Sequence, residues 1–473
     1  MTAVIFEGTG LRSAREKLGL SQAKLAELTG IPQAALSSFE LGKRDLPSKA
    51  AETISRLLSQ DGKIKGLVER KKRYRLHEYE APQRDPARIK LAEQTQTNPE
   101  YVGLLSKLEG NRIHPQPNRP TALSLFSGRG GFSTGFSWAG FEILGFVELE
   151  GDFRRIYRDN FPNTEELGSD ITGVSDSQIE GWKQRFGNVD VIIGGPPCQG
   201  FSLSGKRRAD DPRNSLFQHY LRVVERIQPK VAVLENVRLL TSMRFPDGSL
   251  VATAIRDGFA AKGYEIRAFE VNAKDYGVPQ HRERVIFVAV RRDIGVMPSI
   301  PAPSHGIQGD LFGGAVPHRT FADACSDLEF LESGEKPADD ALHEAVHHPK
   351  HVIEWLWNVP QGVSAHDNED PALRPPSGYN TTYKRQIWLE PAGTVQTTFG
   401  MISGCRNVHP IATRALTVRE AARLQSFPDS FKFRGSLNAI RTSIGNAVPP
   451  LLAYALGRHV RGRFLNLVEV ASL

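Results

Sequence analysis

Residues 190–202 read Asp-Val-Ile-Ile-Gly-Gly-Pro-Pro-Cys-Gln-Gly-Phe-Ser, and this run constrains the fold more than any other. Val191, Ile192 and Ile193 favour an apolar strand that stops at Gly194, and the two prolines that follow fix φ and remove backbone donors. Cys198 is therefore expected on a stiff loop at the carboxyl end of a strand. In open α/β sheets that edge is where ligands bind. Taken alone, a thiol so placed suits a hydrolase or a redox enzyme as well as a transferase.

The surrounding sequence supplies partners for such a sheet. Residues 121–126 form a short apolar run, and Ser127-Gly128-Arg129-Gly130-Gly131 is a turn into a helix expected over 132–139. Glycines there let the backbone approach a ligand closely. The next strand, over 143–147, ends at Glu148, a residue placed to accept both hydroxyls of a ribose. A further strand over 231–234 leads to Glu235, and in a parallel sheet its carboxyl end lies beside the Cys198 loop.

The cysteine run resembles the catalytic loop of DNA (cytosine-5) methyltransferases of the restriction-modification type, and four more segments resemble that family's motifs in its order. Residues 123–136 look like the cofactor loop, Leu234-Glu235-Asn236-Val237 the glutamate motif, 280–288 the arginine motif, and 415–433 with 441–450 the closing pair. One such motif alone is weak, but five in sequence are specific. The resemblance implies an α/β fold: a Rossmann-like sheet of the S-adenosylmethionine-dependent methyltransferases carrying an inserted small, mainly β target-recognition lobe.

It also implies S-adenosylmethionine as cofactor, with Phe126 and Leu149 or Ile171 against the adenine, Glu148 on the ribose and Asp170 on the adenine amino group. Ser127, Gly128, Gly130, Gly131, Pro196 and Leu216 would line the same pocket, and Asn446 and Val448 would close it. Two positions depart from the family's pattern: Ser124 stands where aspartate is usual, and Leu149 where some members have tryptophan.

Carbon 5 of cytosine is a poor nucleophile, so its methylation needs temporary loss of ring aromaticity, which covalent addition of a thiolate at carbon 6 provides. Cys198 is the expected nucleophile, with Arg282 or Arg284 supplying positive charge near it. Glu235, protonated or sharing a proton at ring nitrogen 3, would stabilise the enamine, and Arg284 would hold the ring carbonyl. A base inside a duplex hides carbon 6, so the cytosine must be flipped out. Taken singly, Glu235 reads rather as a helix cap or an arginine's ion-pair partner, and Arg282, Glu283 and Arg284 as a surface ion-pair cluster; their joint appearance with the proline-bounded cysteine reverses this.

Residues 291–414 break the α/β pattern and are rich in Pro, Gly and His, which suits a target-recognition lobe; the duller reading is a β-rich lobe that packs its tryptophans. Within it Tyr383, Lys384 and Arg385 offer aromatic and basic groups to DNA. Thr394 opens a stretch, 394–400, that resembles the family's short element in this region.

At the other end, residues 11–59 read as short amphipathic helices with Ser21 as an N-cap, Gly30 as a left-handed stop and Pro32 in the first turn of the third helix. Ser21-Gln22, Leu25-Ala26, Gly30 and Glu40-Leu41-Gly42-Lys43 resemble the helix-turn-helix of phage-repressor-like regulators. That resemblance puts Gln33, Ala34 and Ser38 toward bases and Gln22, Lys43 and Arg44 toward phosphates of duplex DNA, including an operator. A helical dimerisation module is the alternative, and a dimer on an operator is compatible with both.

A length of 473 residues calls for two or three domains. The divisions read as 1–60 helix-turn-helix, 61–120 a basic, Pro-rich linker with at most one short helix over 101–108, 121–290 catalytic, 291–414 recognition lobe and 415–473 a return to the catalytic domain. Net charge is +7, and Lys63, Lys65, Arg70, Lys71, Lys72, Arg73 and Arg75 concentrate it in the linker, as phosphate contact or as a solvated helix face. Three cysteines are too few for a disulfide framework or a metal cluster. With neither a spanning segment nor a leader pattern, no membrane partner and a cytoplasmic location are expected. An RNA cytosine methyltransferase, or a regulator with a silent enzyme domain, are the rival readings.

Overall fold

The structure is a computed structural model that describes residues 8–17, 20–41, 54, 99–113, 119–197, 216–245, 248–306 and 316–467. The chain divides into two compact units, Met1–Gln83 and Arg84–Leu473.

The first unit holds helices Gly8–Lys17, Gln22–Thr29 and Gln33–Glu40. The local signals act as expected: Ser21 accepts a hydrogen bond from Lys24 N, and Gly30 ends the second helix at φ +69°. Pro32 stands one place earlier than expected, immediately before the third helix at φ −55°. Leu11, Leu20, Leu25, Leu36 and Ile54 form the core. Beside it a buried ion pair joins Arg15 to Glu40, 2.7 Å apart.

The second unit is built on a seven-stranded sheet ordered β3-β2-β1-β4-β5-β7-β6, comprising β1 (Thr121–Leu125), β2 (Glu142–Val147), β3 (Glu165–Gly168), β4 (Val191–Gly194), β5 (Val231–Val237), β6 (Tyr264–Asn272) and β7 (Glu283–Arg291). The strands from β3 to β5 are parallel, and β7 runs antiparallel to both β5 and β6. Chain order reverses between β1 and β4, so the loops leaving these two strands part to opposite sides and leave a crevice at the carboxyl edge.

Residues alternate between the two faces, as the pleat demands. Leu123, Leu125, Ile192, Ala232 and Leu234 pack with helices Asp176–Phe186, Leu216–Ile227 and Val251–Ala261. Ala122, Val191, Ile193, Val231 and Val233 pack with helices Gly131–Trp138 and Pro450–Arg463. The carboxyl-terminal segment thus returns to cover the catalytic sheet.

Two elements differ from the sequence expectation. Helix Pro99–Ile113 is longer than 101–108 and belongs to the second unit rather than to a linker. Its Tyr101, Leu105 and Leu108 enter the same core, the Tyr101 hydroxyl donates to Arg423 O at 2.7 Å, and Trp138 Nε1 donates to Glu109 at 3.0 Å. The apolar spacing is legible in the sequence, but the partners of this helix range from Trp138 to Arg423, more than 300 residues away.

The expectation of a mainly β recognition lobe fails as well. Its described residues carry two two-residue strands, β8 (His305–Gly306) and β9 (Val316–Pro317), isolated bridges such as Ser364 with Lys384 and Thr382 with Cys405, helices Phe321–Cys325 and Lys350–Trp357, and short 3-10 turns. Buried side-chain hydrogen bonds, not ladders, satisfy much of this backbone, as at Arg385 and Arg414. Among the described residues no helix is long and apolar enough to cross a membrane.

Candidate active site

The turn after β1 is shaped by its glycines. Phe126 itself has φ +51°, followed by Gly128 at +54° and Gly130 at +95°. A Cβ on Gly130 would lie 2.5 Å from the Phe161 ring, and one on Gly131 would lie 2.5 Å from Val448 O, so the carboxyl-terminal segment is seated directly on the turn. Ser127 Oγ donates to Ser124 O at 2.8 Å, which pins the turn to its strand.

Ser124 ends a chain of hydroxyl groups. Tyr157 donates to Ser133 Oγ at 2.8 Å, and Ser133 Oγ donates to Ser124 Oγ at 3.1 Å. Burial pushes the Tyr157 phenol well above its ordinary range, so this chain is neutral.

Glu148 follows β2 at 8% exposure. Its carboxylate accepts Gly128 N at 2.7 Å and Glu150 N at 2.9 Å. Burial raises its pKa, and those two backbone donors work against the rise. Ile171 is buried, Leu149 is exposed, and Asp170 is exposed with its carboxylate accepting Thr172 N at 2.9 Å. Pro196 is buried, Leu216 is half-buried at the start of its helix, and Asn446 is exposed at the end of helix Leu437–Asn446.

β4 and β5 run side by side, with Gly194 opposite Leu234. Gly194 has to be a glycine, because a Cβ there would meet Leu125 O at 2.7 Å and Tyr220 at 2.8 Å. At Gly195 a Cβ would come within 3.4 Å of Glu235 Oε2, so the chain leaving β4 passes beside that carboxylate. Asn236 Nδ2 donates to Pro196 O at 2.8 Å and ties the same loop to β5. Cys198 itself lies outside the described residues.

Glu235 belongs to β5 rather than following it, facing Ile286 across the ladder while Val237 faces Arg284. Glu235 and Arg284 are therefore diagonal neighbours on one face, and Arg284 Nε lies 2.8 Å from Glu235 Oε1. The pair sits at the sheet's end, largely but not wholly buried.

Arg282 does not join them. Its side chain is 1% exposed and runs under the site, donating to Gly445 O at 2.9 Å and Val395 O at 3.4 Å. Burial, with Arg284 adding to it, pushes its pKa well down. A guanidinium in this position braces the lobe and helix Leu437–Asn446, while Cys198, beside which either it or Arg284 is expected to supply charge, lies outside the described residues.

Three residues went unassigned from sequence. Asn236 holds the cysteine loop, and Gln280 donates to Leu424 O while accepting Val395 N at 2.9 Å. Arg129 reaches from the turn to Ala439 O at 2.6 Å and lies 4.7 Å over the Phe153 ring. Burial lowers its pKa to about 10. All three occur inside motifs that were recognised, but their roles depend on what folds against them.

The residues expected to meet DNA separate in the same way. Arg385 is 2% exposed, and its guanidinium donates to the carbonyls of Leu356, His409, Ile411 and Ala412 at 2.6–3.2 Å. It holds the lobe together and is not available to phosphate. Tyr383, at φ +49°, is half-buried edge-on to Trp355, Lys384 is half-buried, and exposed Thr394 donates to His281 O at 2.7 Å.

In the first unit Gln33 and Ala34 are exposed and Ser38 is half-buried on the third helix. Gln22 donates to Glu40 at 2.7 Å, so its amide serves the Arg15–Glu40 pair rather than standing free for phosphate. Lys43 and Arg44 lie outside the described residues, as does the basic stretch 63–75.

Comparison with known proteins gives matches to both units. Residues 121–461 match the family model described as C-5 cytosine-specific DNA methylase, and residues 11–59 match a helix-turn-helix model. A Type II methyltransferase, M1.HphI of Haemophilus parahaemolyticus, is 41% identical over 72% of this chain and 86% of its own length. M.NgoFVII of Neisseria gonorrhoeae is 34% identical over 78% of this chain and 94% of its own. Among solved structures, a prophage-encoded DNA modification methyltransferase from E. coli superposes with a TM-score of 0.57 at 25% identity, covering 73% of this chain and 99% of its own.

Proposed function

The chain belongs to the C-5 cytosine-specific DNA methylase family, and from that premise we propose that it transfers a methyl group from S-adenosylmethionine to carbon 5 of a flipped-out cytosine in a specific duplex DNA sequence. Its relatives named as Type II methyltransferases support a place in a restriction-modification system. The observation that carries the reading is the meeting of Glu235, Arg284 and the Asn236-held loop that leads to Cys198.

The residues around the glycine turn fit that cofactor. Glu148 is a buried carboxylate at the end of β2, suited to ribose hydroxyls, and Ile171 offers an apolar wall. Arg129 Nε and Nη1 are buried beside the turn without hydrogen-bond partners, and such donors suit the carboxylate of an amino-acid moiety. Phe126, Gly128, Asp170, Pro196, Leu216, Asn446 and Val448 complete the proposed pocket. When bound, the cofactor supplies an electrophilic methyl group.

Cys198, as thiolate, adds to carbon 6 of the extruded cytosine, and the electron pair moves toward carbon 5. Glu235 holds a proton at ring nitrogen 3, and Arg284 holds the carbonyl oxygen of carbon 2, so charge developing on the ring meets preplaced partners. Before the ring enters, the 2.8 Å contact between Glu235 and Arg284 keeps both side chains extended along one sheet face. After methylation the carbon 5 proton leaves and the thiolate is eliminated.

Duplex DNA containing 5-fluorocytosine tests this directly, since fluorine cannot leave as a proton does. The wild-type protein with cofactor should accumulate a covalent adduct stable to denaturing gels, and Cys198→Ala should form none. An adduct that persists in the alanine variant would remove Cys198 as the nucleophile. In the same reading the helix-turn-helix unit binds an operator, as a dimer, and represses transcription, and the enzyme works in the cytoplasm on DNA.

A further inference from the structure

A cleft of about 630 Å³ opens between helix Pro450–Arg463, helix Pro99–Ile113 and the segment 301–305. No residue assigned above to catalysis, cofactor or DNA lines it. Its volume falls in the range of small-molecule sites.

The charge in the cleft is one-sided. Arg319, Arg458 and Arg463 line it together with His305 and His459, and no acidic residue is among the described residues that do so. Arg458 and Arg463 lie near the carboxyl end of their helix and complement its dipole. That account does not extend to Arg319 and His305, which arrive from the lobe.

The lobe residues are built in rather than draped over the surface. Arg319 lies 5.2 Å over the Tyr101 ring and donates to Gly277 O at 3.0 Å. Gly277, at φ +81°, has no room for a side chain: a Cβ would lie 2.8 Å from His305 Cε1 and 3.0 Å from Arg319 Nη1. His305 is 9% exposed, its Nδ1 is 2.9 Å from Ser304 Oγ, and its Nε2 is buried without a hydrogen-bond partner. Burial lowers the pKa of Arg319 and holds His305 at about 4. His305 is thus held neutral, and Arg319, on which Asp323 and Glu100 also act, keeps a largely desolvated guanidinium whose burial an anion in the cleft would offset. Opposite them, Tyr454 carries Arg458 5.8 Å above its ring, and Leu451 extends the apolar wall.

We propose that this cleft is a second ligand site, one that takes a small phosphate monoester bearing an aromatic ring, of the size of a nucleoside monophosphate. The phosphate is met by the guanidinium groups of Arg319 and Arg463, whose fork geometry suits it, and the ring by Tyr454.

Calorimetric titration of the full chain with AMP at low salt tests the proposal, with the cofactor pocket first saturated by S-adenosylhomocysteine. Binding with a Kd below about 100 μM is expected, weakened at least about tenfold in an Arg458→Gln/Arg463→Gln double variant. Arg319→Gln should do the same, and since it also loses a contact to Gly277, the double variant decides if Arg319→Gln fails to fold. Absence of AMP binding, binding abolished by S-adenosylhomocysteine, or equal affinity in the folded double variant would each overturn the site. So would a loss of affinity for a short duplex in the double variant without any AMP binding, which would make the cleft part of the DNA grip.

Discussion

Arg282 and Arg284 are two residues apart, of one type and in one motif, yet their surroundings give them opposite duties. Arg284 faces Glu235 at the open end of the sheet, and Arg282 is sealed beneath it against the carbonyls of Val395 and Gly445. Replacing Arg282 by glutamine strands buried acceptors and should cost about 2–4 kcal/mol of stability in urea unfolding. Replacing Arg284 by glutamine should cost less stability than the Arg282 change, since its pair with Glu235 keeps some contact with solvent, and should lower kcat about 10²–10³-fold. If the two variants exchange these signatures, the assignments are reversed. Their motif could be read from sequence, but the division of labour could not, because it depends on what covers each side chain. Arg385 makes the same point, since its basic character suggested phosphate and its burial makes it a brace.

Elements meet here through contacts that allow almost no substitution. Helix Gly131–Trp138 packs on helix Pro450–Arg463 so tightly that a Cβ on Gly135 would lie 2.3 Å from Pro450 O and 2.4 Å from Ala453 Cβ. Gly135→Ala should therefore cost about 1–3 kcal/mol by overpacking, read as a lowered unfolding midpoint, and an unchanged midpoint would show that the helices slide apart freely.

The segment 409–420, with His348 packed on it, contributes to the response to acid. His348 Nε2 accepts Ala415 N at 3.0 Å, and His409 Nδ1 accepts Ala412 N at 2.9 Å, so both rings must have those nitrogens unprotonated. Burial, with Arg414 adding to it, holds His348 at about 4 and His409 well below its ordinary value. Between about pH 6.5 and 4 the unfolded chain then binds more protons than the folded one, and stability falls as pH drops through that window. Burial pushes Glu420 up, but Arg414, 2.6 Å away, outweighs it and holds the carboxyl well below its usual range. Its contribution is present above about pH 4.5 and declines below that as the unfolded carboxyl protonates. Thermal unfolding across pH 4–7 should show the first loss, and His348→Gln should flatten it; a slope unaltered in the variant would exclude His348 as a source.

On the scale of the molecule, the boundary between the units lies at Gln83 and Arg84, and helix Pro99–Ile113 is on the catalytic side of it. A chain beginning at residue 84 should keep methyl transfer and lose operator binding, whereas one beginning at residue 115 should lose the helix carrying Tyr101 and unfold at lower temperature. Equal stability of the two chains would contradict the role given to that helix, and operator binding retained by the first would sink the regulatory reading. The sequence by itself determined the strand and turn chemistry, the order of the motifs and the family they signal, because glycine turns, proline bounds and apolar strands are local properties of a few neighbouring residues. The sheet's existence and the helix boundaries, a start at Ser21 and a stop at Gly30, follow from the same short-range physics. Tertiary structure alone decided that the lobe holds itself by buried guanidinium groups instead of β-ladders, that a supposed linker helix belongs to the core, and which arginine of the motif is exposed to the site. Those outcomes depend on desolvation and packing between residues well apart in the chain, from Arg385 and its carbonyl partners 24–29 positions away to Arg282 with Gly445 and Tyr101 with Arg423, and no local pattern encodes what will lie on the other side of a contact.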